Sequence, residues 1–586
     1  MATYYWVGGT GTWSGTGNTQ FAATSGGVAT LLNPTAADTV NFDANSGTAA
    51  TVTVTATAVS LSTTVNKADI NLSLSGSPTL CTAAGTLTFT TGTITLNTYT
   101  LSTGILSSNN SNTRAIAFGT GSISITGSNV NGIDFTTATG FTYTGTSSVN
   151  FTASPTTGTR RILFGSSGGA TESNALNYTV QGGTDTFTLS GTNTSVRNIN
   201  YTGFSGVFNC SGIFVYGNFT LSSTLTMTVT STITFASTSG TKTINTNGIT
   251  ITTPYVFDGV GGTFQLTAAI TTAAATNVTL TNGTLDLFDK TLTAGTFSSS
   301  NTNTRAILFG TGNITIIGSA TVVWNMANTT NFSYTGTPTV NISKNSAAAT
   351  TIVTGNTTEA QALNFNYTVG TYTLTDTNSV YKSLNFTGFT GTIPNSVRTI
   401  YGNLTLVSGM TLTAGSNTTT FGATSGTSTV TTAAKTLDFP ITFNGIGGTF
   451  AFQDALTQGS TRAFTITNGT VQLKAGTTNT VGSFVTSGTN QKYLQSTTSG
   501  TQATLTKASG TTSVSYLTIK DSSVSGGIWN AYYINSNVDA GNNTLWDFNG
   551  YSAYGWFTAY GPDWLNKYGV IKGNVYGVIQ DPYFVQ

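Results

Sequence analysis

Leu225-Thr226-Met227-Thr228-Val229-Thr230-Ser231-Thr232-Ile233-Thr234-Phe235 alternates apolar and hydroxylated side chains. Side chains of an extended backbone point to opposite sides in turn, so this stretch presents one apolar face and one face of hydroxyls. Thr93-Ile94-Thr95-Leu96 and Asn313-Ile314-Thr315-Ile316-Ile317 repeat the pattern, and Gly, Asn and Ser clusters interrupt it every few residues. Those residues turn a chain sharply. No stretch carries a helical period, and the reading is an all-β protein.

Composition removes several chemistries. Of 586 residues only 6% are charged, against about a quarter in an ordinary globular chain. A net charge of +1 offers no pull toward nucleic acid or an anionic membrane. The absence of histidine excludes His-dependent triads, His-ligated metals and His pH switches. Cys81 and Cys210 stand far apart with no CxxC partner and read as free buried thiols. No run approaches the roughly 20 apolar residues of a membrane span. The start, Met1-Ala2-Thr3-Tyr4-Tyr5-Trp6-Val7, has neither the basic nor the apolar region of a secretory signal. The expectation is synthesis in the cytoplasm and, if the protein works outside a cell, departure inside a particle. With 38% hydrophobic and 11% aromatic residues, the chain has enough apolar surface to bury a core.

Long internal repeats organise it. Asn112-Thr113-Arg114-Ala115-Ile116 recurs as Asn303-Thr304-Arg305-Ala306-Ile307, and Tyr216-Gly217-Asn218 as Tyr401-Gly402-Asn403. Phe257-Asp258-Gly259-Val260-Gly261-Gly262 returns as Phe443-Asn444-Gly445-Ile446-Gly447-Gly448. A third copy opens at Ile466-Thr467-Asn468-Gly469, echoing Leu280-Thr281-Asn282-Gly283. The unit exceeds a single solenoid repeat of about 20–45 residues, so each copy holds several coils. The favoured architecture is an elongated β-solenoid (β-helix) with capped ends; tandem β-sandwich domains are the alternative. At roughly 20 residues per coil and about 4.8 Å per stacked strand, residues 50–545 would form a rod on the order of 120 Å long. The boundaries read as an N-terminal cap over 1–49, repeat units over 50–276 and 277–465, a partial third repeat with a terminal coil over 466–548, and an aromatic-rich C-terminal segment over 549–586.

Six of the seven tryptophans lie near the ends, Trp6 and Trp13 at the start and Trp529, Trp546, Trp556 and Trp564 toward the finish. Large aromatics suit the capping of terminal coils, whose edges otherwise recruit other chains. After Phe548 the alternation stops and Tyr551, Tyr554, Trp556, Tyr560, Trp564 and Tyr568 crowd together. These six are the candidate contact surface, since aromatic clusters are enriched at interfaces; a final cap is the other reading.

The two ends also carry a resemblance. Tyr5-Trp6-Val7-Gly8-Gly9-Thr10-Gly11-Thr12-Trp13, with Pro34-Thr35-Ala36-Ala37-Asp38-Thr39-Val40-Asn41-Phe42-Asp43, resembles the opening of Thr/Gly-rich β-helical structural proteins of tailed bacteriophages. Ile528-Trp529, leading to Asp539-Ala540-Gly541-Asn542-Asn543-Thr544-Leu545-Trp546-Asp547-Phe548, resembles the last coil of such proteins. The match covers about 45 residues at each end. The resemblance implies a virion location and a tail-fibre or spike-like appendage that contacts a host-surface glycan or protein. It also implies other virion proteins as partners and a homo-oligomer, a trimer in particular. Capsid decoration and a bacterial surface adhesin are the competing classes. No cofactor, metal, nucleic acid or membrane insertion is expected.

An enzymatic reading finds little to use. The only glutamates, Glu172 and Glu359, occupy equivalent places in two copies, which suits a structural role at a coil corner or subunit contact better than a catalytic pair. Asp286 and Asp289 fall on opposite faces of a strand. Arg114 and Arg305 recur beside Ala-Ile, and are expected to snorkel outward or to donate to turn carbonyls.

Overall fold

A strand of three or four residues, such as Ile233–Phe235 or Thr51–Val54, is too short to stand alone and leaves its apolar face in water. The chain resolves this by winding, so that each strand pairs in parallel with the strand one coil further on. The structure, a computed structural model, describes residues 1–550 apart from 138, 165–170, 192–193, 356–357 and 377. It has two compact units, Met1–Thr413 and Ala414–Gln586, each a parallel β-solenoid. Tandem sandwiches require antiparallel strands. Here every named strand pair is parallel except Tyr5↔Ala22 and Trp6↔Phe21 in the N-terminal cap. The helical elements among the described residues are two 3-10 turns, Glu172–Asn174 and Tyr533–Asn535. No helix is long and apolar enough to cross a membrane.

Period-2 alternation becomes vertical ladders. In the first unit Leu101, Ile123, Val149, Tyr178, Ile199, Phe219, Ile244 and Leu266 succeed one another in register, all buried. The second copy rebuilds the ladder with Leu292, Ile314, Val340, Phe365, Leu384 and Leu404. In the second unit Phe450, Val471, Leu494 and Ile519 line up the same way. Coil length varies: Thr86 faces Ile105, whereas Ile133 faces Ile162.

One irregularity opens each copy. A long bulged strand, Ser62–Leu74, Tyr255–Leu266 or Ile441–Phe452, pairs with Thr86–Thr95, Asn277–Asp286 or Ala463–Leu473 respectively, and the register shifts at the same place each time. The facing glycine has positive φ in all three: Gly92 (103°), Gly283 (78°) and Gly469 (80°). A Cβ there would lie 2.6, 2.3 and 2.3 Å from the carbonyl oxygens of Lys67, Gly259 and Gly445. The close approach of two backbones explains why this glycine recurs in every copy.

The stretch 225–235 departs from a single amphipathic strand. Thr226–Val229 and Ile233–Phe235 belong to different faces of the coil, separated by a corner at 230–232. Thr226–Val229 pairs only with Val207–Cys210 and ends its sheet, so Met227 and Val229 are only half-buried, whereas Ile233 and Phe235 are fully buried. The corner takes Thr and Ser as readily as a strand does, which hides it in the sequence.

The N-terminal coil is closed by aromatics. Trp6, Trp13 and Phe21 are each 0% exposed, and Phe21 meets the two indoles edge-on at 5.1 and 5.9 Å. Asp38 ties this cap, accepting from Ala2 N, Thr35 N and Thr35 Oγ1.

Candidate functional site

The charged side chains with an unusual environment lie inside the coils. Burying a cation is costly unless every donor finds a partner. Arg114 and Arg305 are each 1% exposed, so neither snorkels. Arg114 donates Nε–H to Ser108 Oγ, and its two terminal nitrogens donate to the carbonyls of Asn112, Thr139, Ser108 and Thr137, all at 2.5–3.0 Å. Arg305 repeats the set with Ser299 Oγ and the carbonyls of Asn303, Thr330, Ser299 and Asn328. A guanidinium has five N–H donors, and all five are used within the coil corner, leaving none for a phosphate or an acidic sugar. Phe141 and Phe332 lie 5.7 and 5.9 Å from the two charges. With no carboxylate present, burial lowers both arginine pKa values.

Register places Lys492 at the same position in the third copy: Gly92 faces Arg114, Gly283 faces Arg305, and Thr470, the residue after Gly469, faces Tyr493, the residue after Lys492. Lys492 is fully buried and donates to the carbonyls of Gly488, Ser515 and Tyr516. The sequence signal was present in Asn490-Gln491-Lys492-Tyr493-Leu494, where Lys replaces Arg in Asn-x-Arg-x-Ile.

A second corner holds its cation by two arrangements. In the first copy Arg160 pairs bidentately with Asp185 at 2.8 and 2.9 Å, both buried, and donates to the carbonyls of Ala153 and Gly182. The register of the second copy aligns Ala153 with Lys344, Arg160 with Thr350 and Asp185 with Tyr372. There Lys344 Nζ donates to Thr350 Oγ1 at 2.6 Å and to Ala348 O at 3.0 Å, and lies 5.5 Å from the Tyr372 ring. The positive charge enters the same corner from the opposite strand, and its partner changes from a carboxylate to an aromatic face.

The glutamates lie along the side of the first unit. Glu172 opens a 3-10 turn, and its carboxylate accepts from Ser237 Oγ, Thr238 N and Thr238 Oγ1, some 65 residues on in sequence. Arg197 donates to its backbone carbonyl at 2.7 Å. Partial burial raises the Glu172 pKa, but these hydrogen bonds outweigh it and hold the group below the usual carboxylate range. Burial, with the Glu172 charge, raises the Tyr216 phenol; burial, with Glu359, raises Tyr401. Tyr216 and Tyr401 are the repeat equivalents noted above, so the two glutamates occupy matching surroundings. Asp286 accepts from Gln265 Nε2 and Phe288 N, and Asp289 from Thr311.

Cys81 and Cys210 are buried and free. Burial raises both thiols, Cys210 to about 11, so neither is a reactive thiolate near neutral pH. Among the described residues no cluster of three metal-ligating side chains occurs. Tyr551, Tyr554, Trp556, Tyr560, Trp564 and Tyr568 lie outside the described residues. No family model, curated protein or solved structure matches this chain.

Proposed function

We propose that the chain is a structural component of a tailed-phage virion, a tail-fibre or spike-like appendage that serves as a spacer and binds the host surface. The observation that carries the reading is the solenoid interior, where stacked apolar ladders and carbonyl-saturated cations hold the coils together. Such coils suit mechanical support. Their outward strands present Thr and Asn hydroxyls and amides, suited to many weak polar contacts with a glycan or protein, and the aromatic segment after Phe548 adds stacking surfaces. The resemblance of the two chain ends to tailed-phage β-helical proteins supplies the virion setting, with other virion proteins and further copies of the chain as partners.

Gold labelling of purified particles tests this, with one antibody against residues 1–45 and another against 549–586. Label confined to the tail, with one epitope distal, is expected. Label over the head would replace the appendage with capsid decoration, and particles without label would leave a bacterial adhesin.

A further inference from the structure

The two ends of the described chain differ. The first coil is sealed by Trp6, Trp13 and Phe21. The last coil frays into the two-residue strand Val538–Asp539 and single bridges at Thr544 and Asp547. Its core side is closed by Trp529 and Trp546, 5.4 Å apart. Its outer side is apolar and open: Ile534 is 86% exposed, Leu545 73% and Tyr533 53%, with Val538 beside them. An uncapped solenoid end of this kind recruits whatever strand or apolar segment is available.

The nearest such segment is the chain's own continuation. Residues 551–586 follow directly and carry ten aromatic side chains among 36 residues, with two lysines against two aspartates. That stretch is longer than the 29-residue step between Ile133 and Ile162 and carries no net charge to hold it in water. The chain leading into it already runs along the open coil. Asp547 N donates to Trp529 O, Ala531 N to Asp547 O and Tyr533 N to Phe548 O, at 2.7–3.0 Å. Phe548 stacks on Tyr533 at 5.6 Å and 27°. A Cβ on Gly550 would stand 3.4 Å from the Tyr532 ring.

We propose that residues 551–586 seat on the outer face of the last coil, anchored at Tyr533, Ile534 and Leu545, and close the second solenoid unit. This does not rest on the host-contact reading; it assigns one side of the segment to the fold and leaves the other for a partner. The test uses the full-length protein. Hydrogen exchange of 551–586 should be slowed about tenfold or more relative to a free peptide of that sequence. Exchange at free-peptide rates overturns the proposal. The double variant Ile534→Asp/Leu545→Asp changes exposed side chains only and should keep the far-UV circular dichroism of the parent. It should also speed chymotryptic cleavage within 551–586 by a similar factor; an unchanged cleavage rate overturns the proposal. Protection that persists on dilution supports the same-chain assignment, and protection lost on dilution overturns it in favour of a second copy.

Discussion

Arg160 and Lys344 put one positive charge into the same corner from opposite strands, and three substitutions travel together to allow it. Asp185 is buried and forms a bidentate pair with Arg160. Removing only the arginine strands that carboxylate, so Arg160→Thr should cost about 3–5 kcal/mol. Adding Ala153→Lys and Asp185→Tyr recreates the second copy's arrangement and should return most of the loss, because the three positions share one set of contacts and do not behave additively. Urea unfolding midpoints of the single and triple variants check this. A triple variant no more stable than Arg160→Thr would show that the two corners are not interchangeable. The sequence betrayed Arg114 and Arg305 because the same residue type recurs in the same words. It hid the Arg160–Lys344 exchange, because the recurring feature there is a place in space filled from different positions along the chain.

At the scale of elements, the bulged strand pair is the most constrained part of each copy. Gly283 combines a φ of 78° with a phantom Cβ 2.3 Å from Gly259 O and 2.7 Å from Gly262 O. Gly248 has a similar φ, 83°, in open space. Gly248→Ala should cost about 1 kcal/mol, the penalty of the left-handed conformation alone. Gly283→Ala should cost about 3 kcal/mol, because the coil beneath must also move. Thermal unfolding of both variants measures the difference, and equal losses would remove the steric argument. The Asn282-Gly283 and Asn468-Gly469 pairs were legible as turn signals, but read as ordinary loop punctuation. Only the pairing of Asn277–Asp286 with Tyr255–Leu266 shows the glycine inside a strand, pressed against its neighbour's backbone.

Across the whole molecule the interior resists alkaline ionisation. Tyr178, Tyr201, Tyr255, Tyr367, Tyr372 and Tyr381 are held well above the ordinary phenol value of about 10 by burial, and Cys210 at about 11. A group whose folded pKa is raised contributes its full stability below the unfolded value and loses it as pH rises through the folded one. Stability should therefore fall as pH passes about 10, six phenols outweighing the opposite trend of Lys344, Lys492 and Lys507, whose pKa values burial lowers. Phenolate absorbance followed beside circular dichroism should show a group of the 23 tyrosines ionising only as the fold is lost. Smooth titration of all of them with the fold intact would contradict the buried assignment. The sequence by itself determined that the protein is β throughout, that its turns fall at Gly, Asn and Ser, and that it is built from a duplicated unit, because side-chain alternation and turn preference are local properties. Tertiary structure alone decided which strands stack, where 225–235 breaks, that Lys492 stands for Arg305, and how two different residue sets fill one corner. Contacts between coils join residues from 19 apart, as in Thr86–Ile105, to 29 apart, as in Ile133–Ile162, and that varying step leaves no fixed period to read.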